Sequence, residues 1–149
     1  VERDDAYLER VRLLDTPADR TTSDALSHAC MTIADTIPVG AIAVFTTSGS
    51  SARRVTRERP NVPVLVLTPS LQTARRCALL WGVHPVRTKD IGSFEEMIAK
   101  GKRMALRHGF GQASTRLVVL AGVPFGVPGA TNLLHVVTLT GNELDNYED

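Results

Sequence analysis

From residue 21 onward, short apolar runs bounded by turn residues alternate with segments of helical period. Residues 41–45 (Ala-Ile-Ala-Val-Phe), 64–67 (Val-Leu-Val-Leu) and 117–120 (Leu-Val-Val-Leu) are continuously apolar, the pattern of strands covered on both faces. Residues 83–87 form a weaker run interrupted by Pro85, which suits a sheet edge. A fifth run covers 133–139.

Between these runs the spacing predicts four helices, over 23–37, 50–59, 71–80 and 94–107. The first has an apolar face of Ala25, Leu26, Ala29, Cys30, Ile33 and Ala34, with Thr22 as its cap and Asp24 in the first turn. Ser70 caps the third helix, and Gly82 ends it. Ser93 and Glu96 have the spacing of a capping box, and Arg103 and Arg107 suit the negative end of the fourth helix.

Helices alternating with buried strands predict a three-layer α/β/α sandwich around a five-stranded, mostly parallel sheet. No helix separates the last two strands. The loop 122–129 is rich in Gly and Pro and long enough to reverse the chain, so the last strand is expected antiparallel at the edge. The domain spans 21–140. Residues 1–20, with Tyr7, Leu8, Val11, Leu13 and Leu14 among many charges, read as a linker from a preceding unit, and 141–149 as an acidic tail.

Composition adds limits. At 149 residues the chain makes one domain, too short for a (β/α)₈ barrel. No apolar run is long enough to span a membrane, and the charged start Val1-Glu2-Arg3-Asp4-Asp5 has no signal-peptide pattern. Cys30 and Cys77 make no C-x-x-C and suit a cytoplasmic protein with free thiols. The net charge of +1 and only seven aromatic residues argue against a nucleic-acid partner. That charge is unevenly spread: residues 50–116 carry ten Arg and three Lys against four acids, while both flanks are acidic. Solvated helix faces explain most of this excess.

The chemistry concentrates in residues 46–51, Thr-Thr-Ser-Gly-Ser-Ser, where five hydroxyls fall in six positions between a strand and a helix start. Unpaired N–H groups and a partial positive charge at such a start favour an anion, Gly49 permits a tight turn, and the hydroxyls can donate to phosphate oxygens. There is no Walker lysine, so this is not a P-loop. A helix cap with a polar turn has the same pattern. The phosphate-binding set is Thr46, Thr47, Ser48, Gly49, Ser50 and Ser51, with Arg53 or Arg54 in the first helical turn able to reach a phosphate. Ligands bind at the carboxyl ends of parallel strands, so the loop with Gly122, Pro124, Phe125, Gly126 and Gly129 faces the same pocket if its strand adjoins the first. His28, His84, His108 and His135 have no metal-ligand spacing, no pair of acids stands out for acid–base work, and no catalytic or metal site is expected. A flavodoxin-like carrier also uses a hydroxyl loop after a strand, but Tyr7, Trp81 and Tyr147 lie outside the loops that would flank a flavin.

The runs Phe-Thr-Thr-Ser-Gly-Ser-Ser-Ala-Arg-Arg-Val, Arg-Pro-Asn-Val-Pro-Val-Leu-Val-Leu-Thr, Gln-Thr-Ala-Arg-Arg, Trp-Gly-Val-His-Pro-Val and Ala-Gly-Val-Pro-Phe-Gly-Val-Pro-Gly-Ala-Thr-Asn, in this order, resemble the C-terminal domain of pyruvate kinases over about residues 20–139. The resemblance implies a regulatory and subunit-assembly domain of a tetrameric glycolytic enzyme. That enzyme transfers phosphate from phosphoenolpyruvate to ADP with Mg²⁺ and K⁺ in a separate catalytic barrel. It also implies an effector phosphate on Thr46, Thr47, Ser48, Gly49 and Ser51, a closing loop at 122–129, and a subunit contact along 133–139. Where some regulated members carry an Arg for a second phosphate, this chain has His108, and its closing loop has no basic residue. One phosphate subsite is therefore implied, for a sugar monophosphate or a nucleotide, unless the loop is vestigial.

Overall fold

A computed structural model describes residues 20–127 and 131–144, together with Ala6 and Glu9. The expected linker and acidic tail, apart from a few residues of each, lie outside the described residues, as does Gly129.

The apolar runs form strands β1 (Ala41–Phe45), β2 (Val64–Thr68), β3 (Val83–Arg87), β4 (Arg116–Gly122) and β5 (Thr131–Thr138). They pair in the order β3-β2-β1-β4-β5. The first three pairings are parallel, with Ile42 opposite Val64 and Val118, whereas β5 runs antiparallel to β4. Every side chain of β1 and β2 is buried, as the apolar runs 41–45 and 64–67 require, and Thr68 at the end of β2 is buried with them. Pro85 is accommodated because β3 is an edge strand with a partner only on its β2 side.

The helices are α1 (Thr22–Thr36), α2 (Ser50–Arg57), α3 (Leu71–Cys77) and α4 (Phe94–Arg107). Cys30 of α1, Ala52 and Val55 of α2 and Cys77 of α3 pack on one sheet face against Ile42, Val44, Val66 and Leu120. Met97, Met104 and Ala105 of α4 pack on the other against Ala43, Phe45, Leu65 and Val119. The architecture is therefore the expected three-layer α/β/α sandwich. Each fully buried aliphatic side chain of these layers contributes about 1.5–3 kcal/mol by leaving water.

Helix ends differ in detail from the expectations. Thr21, not Thr22, caps α1: it has extended backbone, and its hydroxyl accepts the Asp24 N–H. The second helix ends at Arg57, because Arg59 turns the chain at φ 53°. The third ends at Cys77, three residues early. Ser93 accepts the Glu96 N–H as expected, but the Glu96 carboxylate reaches the N–H of Gly92, one residue before the cap.

Candidate functional site

The parallel order puts the carboxyl ends of β1, β2, β3 and β4 along one rim. Because β1 and β4 are hydrogen-bonded neighbours, the loops that follow them share an open cleft.

The first wall is the hydroxyl loop. Thr46 N–H donates to Leu67 O at 3.1 Å, extending the β1–β2 ladder by one residue. The Thr46 hydroxyl then accepts the Gly49 N–H at 2.9 Å, closing a turn in which Gly49 sits at φ 88°, ψ 0°. Thr73 of α3 fixes the loop from behind by donating to Thr47 O at 2.8 Å. Helix α2 then opens with no side-chain cap. Ser50 N–H has only a long contact of 3.4 Å to the Ser48 hydroxyl. The helix start thus keeps N–H groups that an anion can occupy. Ser51 is committed elsewhere: its buried hydroxyl bonds the hydroxyl of Thr131, whose carbonyl accepts from Ser23 at 3.2 Å. Thr131 so ties α1, α2 and the start of β5 together.

The second wall follows β4. Asn132 holds it in both directions, accepting Val123 N–H at 2.8 Å and donating to Val123 O at 2.5 Å. The Val123-Pro124 peptide is cis, and Gly126 has φ 83°. The third wall, residues 88–91 after β3, was not anticipated from the sequence. Thr88 N–H donates to Thr68 O at 2.9 Å, and Lys100, only 8% exposed, reaches beneath the loop from α4.

Of the expected site residues, Thr46, Thr47, Ser48 and Ser51 line the cleft, with Gly122, Phe125 and Gly126 opposite. Gly49, Ser50 and Pro124 are not lining residues: Gly49 makes the left-handed turn before α2, and Ser50 is the first residue of that helix. Arg53 is an exposed residue of α2 and is not among the residues that line the cleft. Arg54 is also drawn away. With Arg57 it pairs with Asp24 of α1, at 3.6 and 2.7 Å. The Thr21 hydroxyl, then Arg57 and Arg54, hold the Asp24 carboxyl below the usual carboxylate range, against the opposing effect of burial. His108 caps the far end of α4, where it meets His84 at 3.0 Å at the opposite end of the sheet from the cleft. Trp81 lies at that same end, under Arg59 at 4.2 Å, so it cannot flank a ligand in the cleft.

Among the described residues no group of three or more His, Cys, Asp or Glu could hold a metal ion. Cys30 and Cys77 are buried, and desolvation pushes the Cys30 thiol up to about 12, so neither is poised as a nucleophile. Asn132, Thr131 and Lys100 were missed from sequence. Lys100 alone left a signal, as a charge on the apolar stripe of Met97, Gly101 and Met104.

A hydroxyl loop, a helix start with no side-chain cap and a Gly-rich loop meet at the carboxyl end of the mostly parallel sheet of an α/β domain. More particularly, residues 24–137 match the family model "Pyruvate kinase, alpha/beta domain", and the chain belongs to that family. It is 39% identical over 140 residues to a pyruvate kinase of Methylorubrum extorquens, covering 94% of this chain and 29% of that protein. It is 42% identical over 117 residues to one of Clostridium acetobutylicum, covering 78% and 25%. A pyruvate kinase of Staphylococcus aureus is 31% identical over 138 residues, covering 93% and 23%. The chain thus spans about a quarter of the length of these relatives. No helix among the described residues is long and apolar enough to cross a membrane.

Proposed function

We propose that this chain is the regulatory and subunit-assembly domain of a pyruvate kinase and binds a phosphorylated effector, a sugar monophosphate or a nucleotide, in the cleft at the carboxyl end of its sheet. The parent reaction, phosphoryl transfer from phosphoenolpyruvate to ADP in glycolysis with Mg²⁺ and K⁺, belongs to a catalytic barrel elsewhere in the parent enzyme. The observation that carries the effector reading is the uncapped start of α2 opening on a cleft lined by Thr46, Thr47, Ser48 and Ser51. A phosphate there meets N–H donors, hydroxyl donors and the positive end of the helix together.

The assembly role is supported by β5, an edge strand with one side of its ladder unpaired and Val136 partly exposed. Such an edge is a template for a second copy of the chain, consistent with a tetrameric parent in the cytoplasm. Titration calorimetry with inorganic phosphate and a sugar phosphate tests the effector site. The wild-type chain is expected to bind both, and a Thr47→Ala, Ser48→Ala variant, altered only at exposed residues of the loop, to lose most of that affinity while staying folded. Equal affinity in the two proteins overturns the assignment.

A further inference from the structure

At the end of the sheet remote from the cleft, two histidines from different elements meet. His84 lies on the edge strand β3, and His108 follows the last residue of α4. His84 Nε2 stands 3.0 Å from His108 Nδ1, with the ring centroids 4.8 Å apart. Neither ring fills the core: His84 is half-buried and His108 exposed.

Both rings are anchored. Gly109, at φ 77°, turns the chain after α4, and the Phe110 N–H donates to Ala105 O at 2.8 Å. Phe110 then stands edge-on to His84, at 5.1 Å between centroids. The His108 N–H donates to Met104 O at 3.0 Å, so its backbone closes the helix.

The gap between the two nitrogens has the size of a metal-ion bite. Nitrogens about 2.0–2.1 Å from one ion and 3.0 Å from each other subtend about 95° at it. A tetrahedral ion would ask for a separation of about 3.3 Å. Neighbouring positions of a tetragonal ion ask for about 90°, the geometry of copper(II) and nickel(II) with nitrogen ligands. As neutral rings the pair shares one N–H. Binding needs only the tautomer that carries this proton on the outer nitrogen, so both lone pairs face the gap and no proton is lost. The last carbonyls of α4 add partial negative charge. Arg107 in that turn, and Arg59 over Trp81 in the adjoining groove, oppose a hard cation held by charge alone. Two protein ligands fall short of a closed metal centre, so water fills the remaining positions from the open groove that His84 lines.

We propose that His84 and His108 form a two-histidine site for a late divalent transition-metal ion, of the copper(II) or nickel(II) class, that clips the edge strand β3 to the end of α4. The site is independent of the phosphate cleft at the opposite end of the sheet.

The experiment titrates the chain with copper(II) and reads the fluorescence of Trp81, its one tryptophan and a residue of the same groove. Saturable quenching by one equivalent is expected, with two coordinated nitrogens in the copper electron-resonance spectrum. His84→Ala and His108→Ala should each weaken binding by about tenfold or more. A His28→Ala, His135→Ala variant, lacking the two other histidines, should bind as the wild type does. Nickel(II), which the buried thiols do not reduce, should raise the Tm of the wild type and of neither His84→Ala nor His108→Ala, because only the folded chain brings the pair together. Magnesium should leave fluorescence and Tm unchanged. Circular dichroism checks that the variants fold, and His108 is exposed, so His108→Ala keeps the test open if His84→Ala unfolds. Absence of copper binding to the wild type overturns the inference. So does quenching or nickel stabilisation that survives the loss of both histidines, which would place the ion on other surface groups.

Discussion

Replacing Gly49 with alanine tests the turn on which the anion site depends. Gly49 occupies the left-handed region at φ 88°, ψ 0°, directly before α2. An L-residue there costs about 1–2 kcal/mol. A methyl carbon on Gly49 would also stand 3.1 Å from the buried Cys77 sulfur and 3.4 Å from Thr73 Cγ2. Carbon and sulfur at that distance must separate by a few tenths of an ångström, and α3 resists, because Thr73 is bonded to Thr47 O. Crowding of this kind costs about 1 kcal/mol or more. The expected loss is about 2–3 kcal/mol, or about 8–12 °C in Tm for a domain of this size. Urea and thermal unfolding of Gly49→Ala in the wild-type and Cys77→Ala backgrounds separate the two parts. The penalty should fall to about 1–2 kcal/mol once the sulfur is gone, leaving the backbone part alone. A total loss below about 0.5 kcal/mol, the size of an ordinary surface change, would refute the left-handed turn. An equal loss in both backgrounds would refute the contact. Phosphate affinity should fall in either background, since the turn aims the first N–H groups of α2.

Two further outcomes follow from the geometry. Asn132→Ala removes both hydrogen bonds to Val123, so backbone amides of 123–127 should exchange faster by mass spectrometry, with a stability loss of about 1 kcal/mol, while β4 exchange is unchanged. Glu143 tests pH dependence: burial pushes its carboxyl up, but the Thr140 N–H and hydroxyl, Lys102 at 3.1 Å and the Gly141 N–H outweigh this and bring it to about 2. Its folded value lies below that of a free glutamate, so its contribution is complete above about pH 4.5 and is lost as pH falls toward 2. Between pH 6 and 3 the wild type should lose about 1 kcal/mol more than Glu143→Gln in chemical denaturation, the shift being discounted for screening by solvent, and parallel curves would show that the cluster is not formed in solution.

Strands were the most legible part of the chain, because each central strand is built on a continuous apolar run of four or five residues, and only a sheet covered on both faces asks for that. Residues 41–45 and 83–87 match β1 and β3 end to end. Helix ends were less legible. Thr21 and Thr22 are chemically alike, and which one caps α1 depends on which has extended backbone, a property of the chain entering from outside the helix. The hydroxyl loop was visible as composition. The destination of each hydroxyl was not: Ser51 turns to Thr131, 80 residues away, and the arginines that follow the loop turn to Asp24 or stay in solvent.

The sequence by itself determined the layered α/β class, the antiparallel last strand and the position of an anion-friendly loop, because periodicity, apolar runs and glycine placement are local properties. The tertiary structure alone decided which loops share a cleft, since that follows from strand order, and order is set by long-range packing. It placed β1 between β2 and β4 and brought residues 88–91 to the same rim. It also gave Lys100 its meaning. In one dimension it is a charge on the wrong face of a helix, and in three it is the buried cation that holds the third wall of the cleft.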